Sequence, residues 1–537
     1  MNGLDWVVIG LYMAGMIGLS AWLGRRTRDG RDYYVAGNSM PWYAPGLSTM
    51  ATQCSTNSLL GAPAFVVVHG LIWLQYELAV PLAMVFLMWV MLPMFRVLRL
   101  VSVYEYIEMR FGPATRTLLS VIFQLTRAFG TGITVYGIAL VMQLAIGIPF
   151  AMAVVLLAVI TIVYDMLGGI RAVIWSDVIQ MGVLVLGIVF AGAALIGQLG
   201  GWAEVLARAP PETFRTLDFA SHGLGDGNAF AFWPMLFGGF FLYLAYYGCD
   251  QTQVQRELSV RRIADIRWSL FLNGVGRFPL VLAYCALGVG LAAYLQLNPD
   301  FWNAVPLRGD GTPNANVLLI AFVLQHLPNG IIGLFVIALF AAAMSSLDST
   351  INSLSATTAR DIIDRYCLAP GRETPLWGNR LLTLFWGVVC TGFAFAAERI
   401  AGTIIEAVNK ISSLMNGPIL ATFLLAMFTR RTRNRPMAAG IVAGFAGNFI
   451  VWKWLPGISW IWWNVIGALV TAAVAYGGSL LVPGPLFEDK RGLVWRPGRV
   501  VGDPGDTVRW PRVYLFLAVY AVVLLIVLLA IGRLANR

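Results

Sequence analysis

Stretches of about twenty apolar residues, the length a helix needs to cross the hydrocarbon of a bilayer, recur along this chain from residue 4 to residue 532. They fall near 4–24, 43–69, 73–95, 117–146, 150–168, 174–198, 229–254, 268–296, 316–357, 379–397, 402–428, 437–454, 459–481 and 513–532, which makes fourteen runs. In hydrocarbon every backbone N–H and C=O must be satisfied internally, so each run is expected to be a helix. Amount excludes a soluble globule as well: 58% of the 537 residues are apolar, 12% are charged, and the mean hydropathy is +0.74. The expected fold class is an all-α polytopic membrane protein. No basic cluster precedes the first run, which opens Met1-Asn2-Gly3-Leu4-Asp5, so that run is expected to remain as a helix and not to be cleaved.

A formal charge of +10 invites a nucleic-acid reading until the basic residues are sorted by loop. Loops after odd-numbered runs, counted with Arg380 at the adjoining end of the tenth run, hold 27 of the 37 Lys and Arg, among them Arg25, Arg26, Arg28 and Arg31. The opposite side holds 7, and Arg127, Arg277 and Lys410 lie within runs. By the positive-inside rule this split puts both termini outside, and it makes the charge topological, with no nucleic-acid surface implied. The five cysteines lie in runs or an inside loop, so no disulfide framework is expected. His69, His222 and His326 are too scattered for a metal or nucleophile site, which argues against an enzyme.

Against this apolar background three interruptions stand out. Ala341 to Ser353, AAAMSSLDSTINS, packs four serines, a threonine, an aspartate and an asparagine into little more than three turns. At 3.6 residues per turn, Ala342, Ser345, Ser346 and Ser349 share a face whose hydroxyl and carbonyl oxygens suit a hard monovalent cation. Hydroxyls bonding back to their own helix are the plainer alternative, and Asp348 weighs against it, because an ionisable group inside a membrane points to function. In the second run nearly every residue from Ser48 to Ser58 is small or polar, bracketed by Gly46, Gly61 and Pro63. A packing face would need small residues only every fourth position, so a helix broken beside a cavity is expected. The seventh run carries Tyr243, Tyr246, Tyr247, Gly248, Asp250, Gln251, Gln253 and Gln255, a second break.

The interval between the two breaks is informative. The second and seventh runs open two successive sets of five, and five is odd, so the second set must run inverted. Paired broken helices in inverted halves mark the binding site of a secondary transporter. The expected division is 1–30 for the first helix, 43–198 and 229–430 for the two inverted repeats, and 436–537 for peripheral C-terminal helices.

Single charged residues complete the inventory. Glu77 sits where a carboxylate costs about 2.5 kcal/mol or more unless paired or wet, so it is expected at the cavity. Arg127 can hold an anionic solute, pair with an acid, or face inner water. Asp177 opens the sixth run, where capping competes with any other role. Arg277 is expected to pair with an acid not identifiable from the sequence. Glu406 and Lys410 can pair at i and i+4, which leaves Asn409 free to bind.

Four motifs together resemble the sodium:solute symporter family, which includes sodium/sugar and sodium/sialic acid cotransporters: Gly168 to Gln180 (GGIRAVIWSDVIQ), Asp250 to Arg256 (DQTQVQR), Ala341 to Ser353, and Gly417 to Phe428 (GPILATFLLAMF). They lie between residues 168 and 428, and the resemblance is taken to span the second to eleventh runs. The resemblance implies a leucine-transporter-type 5+5 inverted repeat with one preceding and about three following helices. It implies a principal sodium site built from Ala51 and Cys54 across from Ala342, Ser345 and Ser346. Some members bind a second sodium, which here implies Asp177, Ser346 and Ser349, with Asp348 standing where sialic acid members have serine. Tyr76-Glu77 is similar to a sugar-contacting pair of galactose-transporting members, Tyr246 to their inner-gate tyrosine, and Asn409 to a sugar-binding glutamine. Tyr243 replaces a sugar-binding asparagine, Asn57 and Ser58 replace a Glu-Gln pair, and the sugar-binding lysine is missing. Ser55 and Ser58 match hydroxyls that bind carboxylate in sialic acid members, whereas Arg127 sits about one turn from their arginine.

The expected function is sodium-coupled import of a small hydroxylated organic solute (sugar, polyol or sugar acid) by alternating access in the bacterial inner membrane. It would use one or two Na+, the solute and the lipid bilayer, with no obligate protein partner. The alternatives are sodium- or proton-coupled symport of a small carboxylate, the proton route running through Asp177, Asp348 or Glu77, and a membrane solute sensor with a transporter fold.

Overall fold

A computed structural model describes residues 1–303, 305–306, 313–369, 371–399, 404–482, 485–496 and 502–536, with the side chains of 57, 144, 145, 398, 399, 404–411 and 536 left aside. Among the described residues the chain is helical without a named strand, and two isolated bridges join Met40 to Val260 and Leu224 to Ile458. Ten helices among the described residues are long and apolar enough to cross a membrane.

The first is α1 (Gly3–Gly24), opened by Asn2, whose side chain accepts from the Leu4 and Asp5 amides. The second run is broken as its composition requires. The α2 helix (Tyr43–Gln53) stops at Cys54, where φ −82° and ψ 60° leave the helical basin. A wide turn over Asn57–Gly61 then leads into α3 (Ala62–His69). A tight 3-10 segment, Gly70–Leu78, leads into α4 (Ala79–Phe86), and α5 (Pro113–Ile146) follows.

Next comes α6 (Phe150–Leu199), whose 50 residues include a reversal at Gly169. Tyr164 and Ser176, twelve residues apart on opposite sides of Gly169, both reach Asp348, so the two arms lie side by side. Gly169 has φ +59°, and a Cβ there would stand 2.6 Å from the Tyr33 carbonyl oxygen, so both backbone and space demand glycine. The second arm therefore starts at Ile170 and Asp177 lies two turns inside it. This removes the helix-capping role weighed for Asp177.

The seventh run is likewise two pieces, α7 (Gly239–Cys249) and α8 (Gln251–Glu257), divided at Asp250, whose extended backbone ends one helix while its carboxylate accepts the Thr252 amide to start the next. After α9 (Ile263–Leu297) the ninth run departs from the expected single helix. Leu318–His326 is a separate short helix, Leu327 to Gly330 breaks the chain, and α10 (Ile331–Thr357) begins afresh. The cause is Pro328 and Gly330, the latter at φ +88°. Asp5 of α1 bonds the exposed start of α10, accepting the Gly330 and Gly333 amides at 2.6 and 2.9 Å.

Remaining helices are α11 (Leu376–Arg399), α12 (Ile404–Phe428), α13 (Asn434–Trp454), α14 (Trp463–Leu481) and α15 (Trp510–Gly532). The α13 and α14 helices pack on each other and on α12, and α15 packs on α4, which places all three at the periphery. At the centre stands α10. From Phe335 to Thr357 every residue except Ser346 is buried, as expected of a helix apolar on most sides and surrounded by others.

Candidate functional site

The break in α2 and the polar turns of α10 face each other. Ser345 Oγ lies 3.3 Å from both the Ala51 and the Ala342 carbonyl oxygens. Ser346 Oγ lies 3.4 Å from the Ala342 oxygen and 3.2 Å from the Thr52 oxygen. These separations are long for hydroxyl hydrogen bonds. They fit the edges of an oxygen cage instead: ligands about 2.4 Å from a central cation at right angles stand about 3.4 Å apart. Ala51, Ala342, Ser345 and Ser346 are thus brought together, and Cys54 stands at the break itself, with its amide bonded to the Met50 carbonyl. Thr52 was not singled out in the sequence; it supplies a carbonyl and donates its hydroxyl to the Ser345 carbonyl at 3.2 Å.

One turn further along α10 lies a buried charged cluster. Asp348 accepts hydrogen bonds from Tyr164 and from the Ser349 amide (2.5 Å) and hydroxyl (2.9 Å). Asp177 accepts from Ser48 Oγ at 2.6 Å, and its second oxygen is buried without a partner. Arg256 joins the two: it donates to Ser349 Oγ, lies 3.5 Å from Asp177, and is itself fully buried. Asp165 accepts from Asn352 Nδ2 at 2.9 Å. Two buried carboxylates, Asp177 directly and Asp348 through Ser349, thus share one guanidinium, an excess of negative charge that a membrane interior does not tolerate without a cation or proton. Arg256 closes the DQTQVQR motif, yet its partner is 79 positions away in sequence, so no spacing signal announced the pair.

Beside the break opens a cavity of about 560 Å³, the size of a small-solute site. Thr52, Gln53, Ser55, Ser346, Thr350 and Ser413 supply its polar wall, and Trp73, Tyr76, Phe123, Tyr243, Tyr246 and Trp460 its aromatic wall. Neither amide atom of Gln53 nor the Ser413 hydroxyl has a hydrogen-bond partner of ordinary geometry. Both were passed over as contacts in the sequence, because glutamine and serine in a polar-rich run carry no individual signal. Arg127 lines the cavity but is paired, its Nε 2.6 Å from Asp250 and its guanidinium 5.0 Å from the Tyr246 ring. Arg277 also lines it and finds its acid in Glu77, at 2.6 and 3.3 Å.

Several expected solute contacts are placed differently. Glu77 does not border the cavity: it is buried, with both oxygens held by Arg277 and one also by the Tyr243 hydroxyl at 3.2 Å. Pairing thus meets the cost of a carboxylate at that depth, and no open cavity is needed for it. Ser58 folds back on the Gln53 carbonyl at 3.2 Å, closing the turn. Tyr243 and Tyr246 both border the cavity, and Tyr246 accepts from Gln253 at 2.8 Å. The Asn409, Glu406 and Lys410 side chains lie outside the described residues. With both arginines neutralised, the cavity wall offers hydroxyls, amides and aromatic faces and no net charge.

The model of the family described as "Sodium:solute symporter family" matches residues 33–444. A sodium/sialic acid symporter of Aliivibrio fischeri is 29% identical over 90% of this chain and 94% of its own. The human sodium-coupled monocarboxylate transporter 1 is 29% identical over 82% and 72%. Among solved structures, the substrate-bound outward-open state of a Na+-coupled sialic acid symporter superposes with a TM-score of 0.78 at 24% identity, covering 90% of this chain and 98% of that one. A nucleobase-cation-symport-1 family transporter in a closed conformation aligns over 84% and 95%, with a TM-score of 0.53 at 14% identity. At these identities the superpositions establish the fold, which is that of the leucine transporter.

Proposed function

The chain belongs to the sodium:solute symporter family, and from that premise we propose that it imports a small, hydroxylated, uncharged organic solute together with Na+. It is a membrane transporter and not an enzyme. The observation that carries the ion half is the cage of Ala51, Thr52 and Ala342 carbonyls with the Ser345 and Ser346 hydroxyls, spaced 3.2 to 3.4 Å apart. Cys54, at the break, completes the proposed set. The solute half rests on the cavity wall, where two ion pairs leave no free charge and Gln53, Ser55 and Ser413 offer hydrogen bonds beside aromatic faces. Sugars and polyols present that mixture of hydroxyls and apolar faces.

Coupling follows from a shared wall. Thr52 and Ser346 border the cavity and also belong to the ion cage. A cation drawing their oxygens together holds the α2 break against α10, so the solute meets a finished wall only when the ion is bound. Each ligand then favours the same state, which is all that coupling requires. Below the cavity, Tyr246 and the Arg127–Asp250 pair form the floor that must part for release.

A second cation is proposed beside Asp177, Asp348 and Ser349, where Arg256 pairs with Asp177 and reaches Asp348 through Ser349. In cells the protein is assigned to the plasma (bacterial inner) membrane with both termini outside, on the distribution of basic residues. A small-carboxylate substrate is the second reading, favoured by Arg127 at the cavity wall, where a solute carboxylate could displace Asp250, and by the sialic acid and monocarboxylate relatives. Uptake into proteoliposomes from a panel of sugars, polyols, sialic acids and monocarboxylates decides both halves. A solute accumulated only under an inward Na+ gradient supports the proposal; uptake independent of Na+, or driven by a pH gradient in its absence, defeats sodium coupling.

A further inference from the structure

On the face of the molecule that carries most of the basic residues, a pocket of about 530 Å³ is lined by Arg31, Asn38, Arg96, Arg99, Arg261 and Asp503. The four arginines come from three distant segments: the one leading into α2, the end of the α4 region, and the turn between α8 and α9. Retention of basic residues beside the membrane explains which side they occupy. It does not explain why they converge on one concavity, where like charges repel.

The convergence is built. Arg31 donates to the Arg99 carbonyl at 3.1 Å and Arg96 to the Arg261 carbonyl at 2.7 Å, so each interlocks one segment with the next. Asn38 Nδ2 donates to the Leu258 carbonyl at 2.6 Å. Among the described residues none of the four guanidinium groups lies within 4.0 Å of a carboxylate. The acids nearby are committed elsewhere. Asp503 accepts the Ile263 and Ala264 amides, Asp265 pairs with Arg262, and Glu373 pairs with Arg360.

A second observation is independent of charge. Among the described residues only Ala36, Asn38 and Arg99 are non-glycine residues with positive φ, at +51°, +53° and +53°. Asn38 and Arg99 line this pocket, and Ala36 is two residues from Asn38. Backbone strain gathered in one place persists where a site requires it. Planar guanidinium forks are matched to the oxygens of phosphate.

We propose that this pocket binds a phosphate group, carried by an anionic phospholipid headgroup or by a soluble anion. Bound there, the phosphate ties together the approach to the first broken helix and the exit from the second.

The test measures thermal unfolding of the full chain in detergent at fixed ionic strength. Inorganic phosphate titrated against chloride forms one arm, and phosphatidylglycerol against phosphatidylcholine in mixed micelles forms the other. The Arg99→Gln/Arg261→Gln variant keeps the two backbone carbonyls that Arg31 and Arg96 use, so the pocket frame is retained. Arg25→Gln/Arg28→Gln, exposed on the same face, is the control. The expected result is stabilisation by phosphate or phosphatidylglycerol with an apparent affinity about tenfold weaker in the pocket variant and unchanged in the control. The arm that responds names the source. No stabilisation in either arm, or equal weakening in the control, overturns the proposal.

Discussion

Ser345 and Ser346 each set a hydroxyl between one carbonyl of the α2 break, Ala51 or Thr52, and the Ala342 carbonyl of their own helix. Removing one hydroxyl subtracts an ion ligand worth about 1.5–3 kcal/mol. Ser345→Ala or Ser346→Ala is therefore expected to raise the Na+ concentration for half-maximal uptake about ten- to a hundredfold, read from sodium titrations in proteoliposomes; an unchanged sodium dependence refutes the cage. At Glu77 the expectation concerns stability. Glu77→Ala strands the Arg277 guanidinium, at a cost of about 3–5 kcal/mol, whereas Glu77→Gln with Arg277→Met is milder because no buried charge is left behind. Thermal unfolding of the two variants separates a structural pair from a solute contact. At this scale the sequence was legible wherever one helix face carried the message, as with Ser345, Ser346 and Ala342. It was not where a partner lay far along the chain: Arg277 meets Glu77 across 200 positions and Arg256 meets Asp177 across 79, and periodicity knows nothing of such pairs.

Two devices shape the elements. Gly169 reverses α6 in a backbone conformation and a space closed to side chains, and Gly169→Ala is expected to prevent assembly, seen as loss of monodisperse protein in size-exclusion chromatography. Asp250 caps α8 and pairs with Arg127 at the same time. Asp250→Asn keeps a capping oxygen but loses the charge, so the fold is expected to hold while Arg127 is freed for an anion. A gain in uptake or binding of carboxylates relative to neutral solutes is the measurement that checks this. Both broken helices were legible because small and polar residues crowd where an intact span would be apolar. The split at Pro328 and Gly330 was not, since apolar residues on both sides disguise a short, mostly buried helix and a span as one run.

For the whole molecule, binding of Na+ to the folded state alone stabilises it by about 2.7 kcal/mol at a hundred times its dissociation constant. A rise in unfolding temperature with Na+, absent with K+ and reduced in Ser345→Ala, is expected. The overall architecture followed from repetition: two breaks one odd-numbered set apart imply inverted halves, and the solved relatives have that fold. The seclusion of α10 adds something practical. Along its stretch from Phe335 to Thr357, Ser346 alone is left with some exposure, and it sits where ion and solute sites join. Four of the five native thiols are buried, and Cys367 is the exposed one. Because Cys249 also borders the cavity and Cys54 stands at the α2 break, a chain with Cys54, Cys249 and Cys367 replaced by serine and Ser346→Cys would own a single keyhole, and the pace at which a water-borne maleimide turns in it would chart when the passage is unlocked.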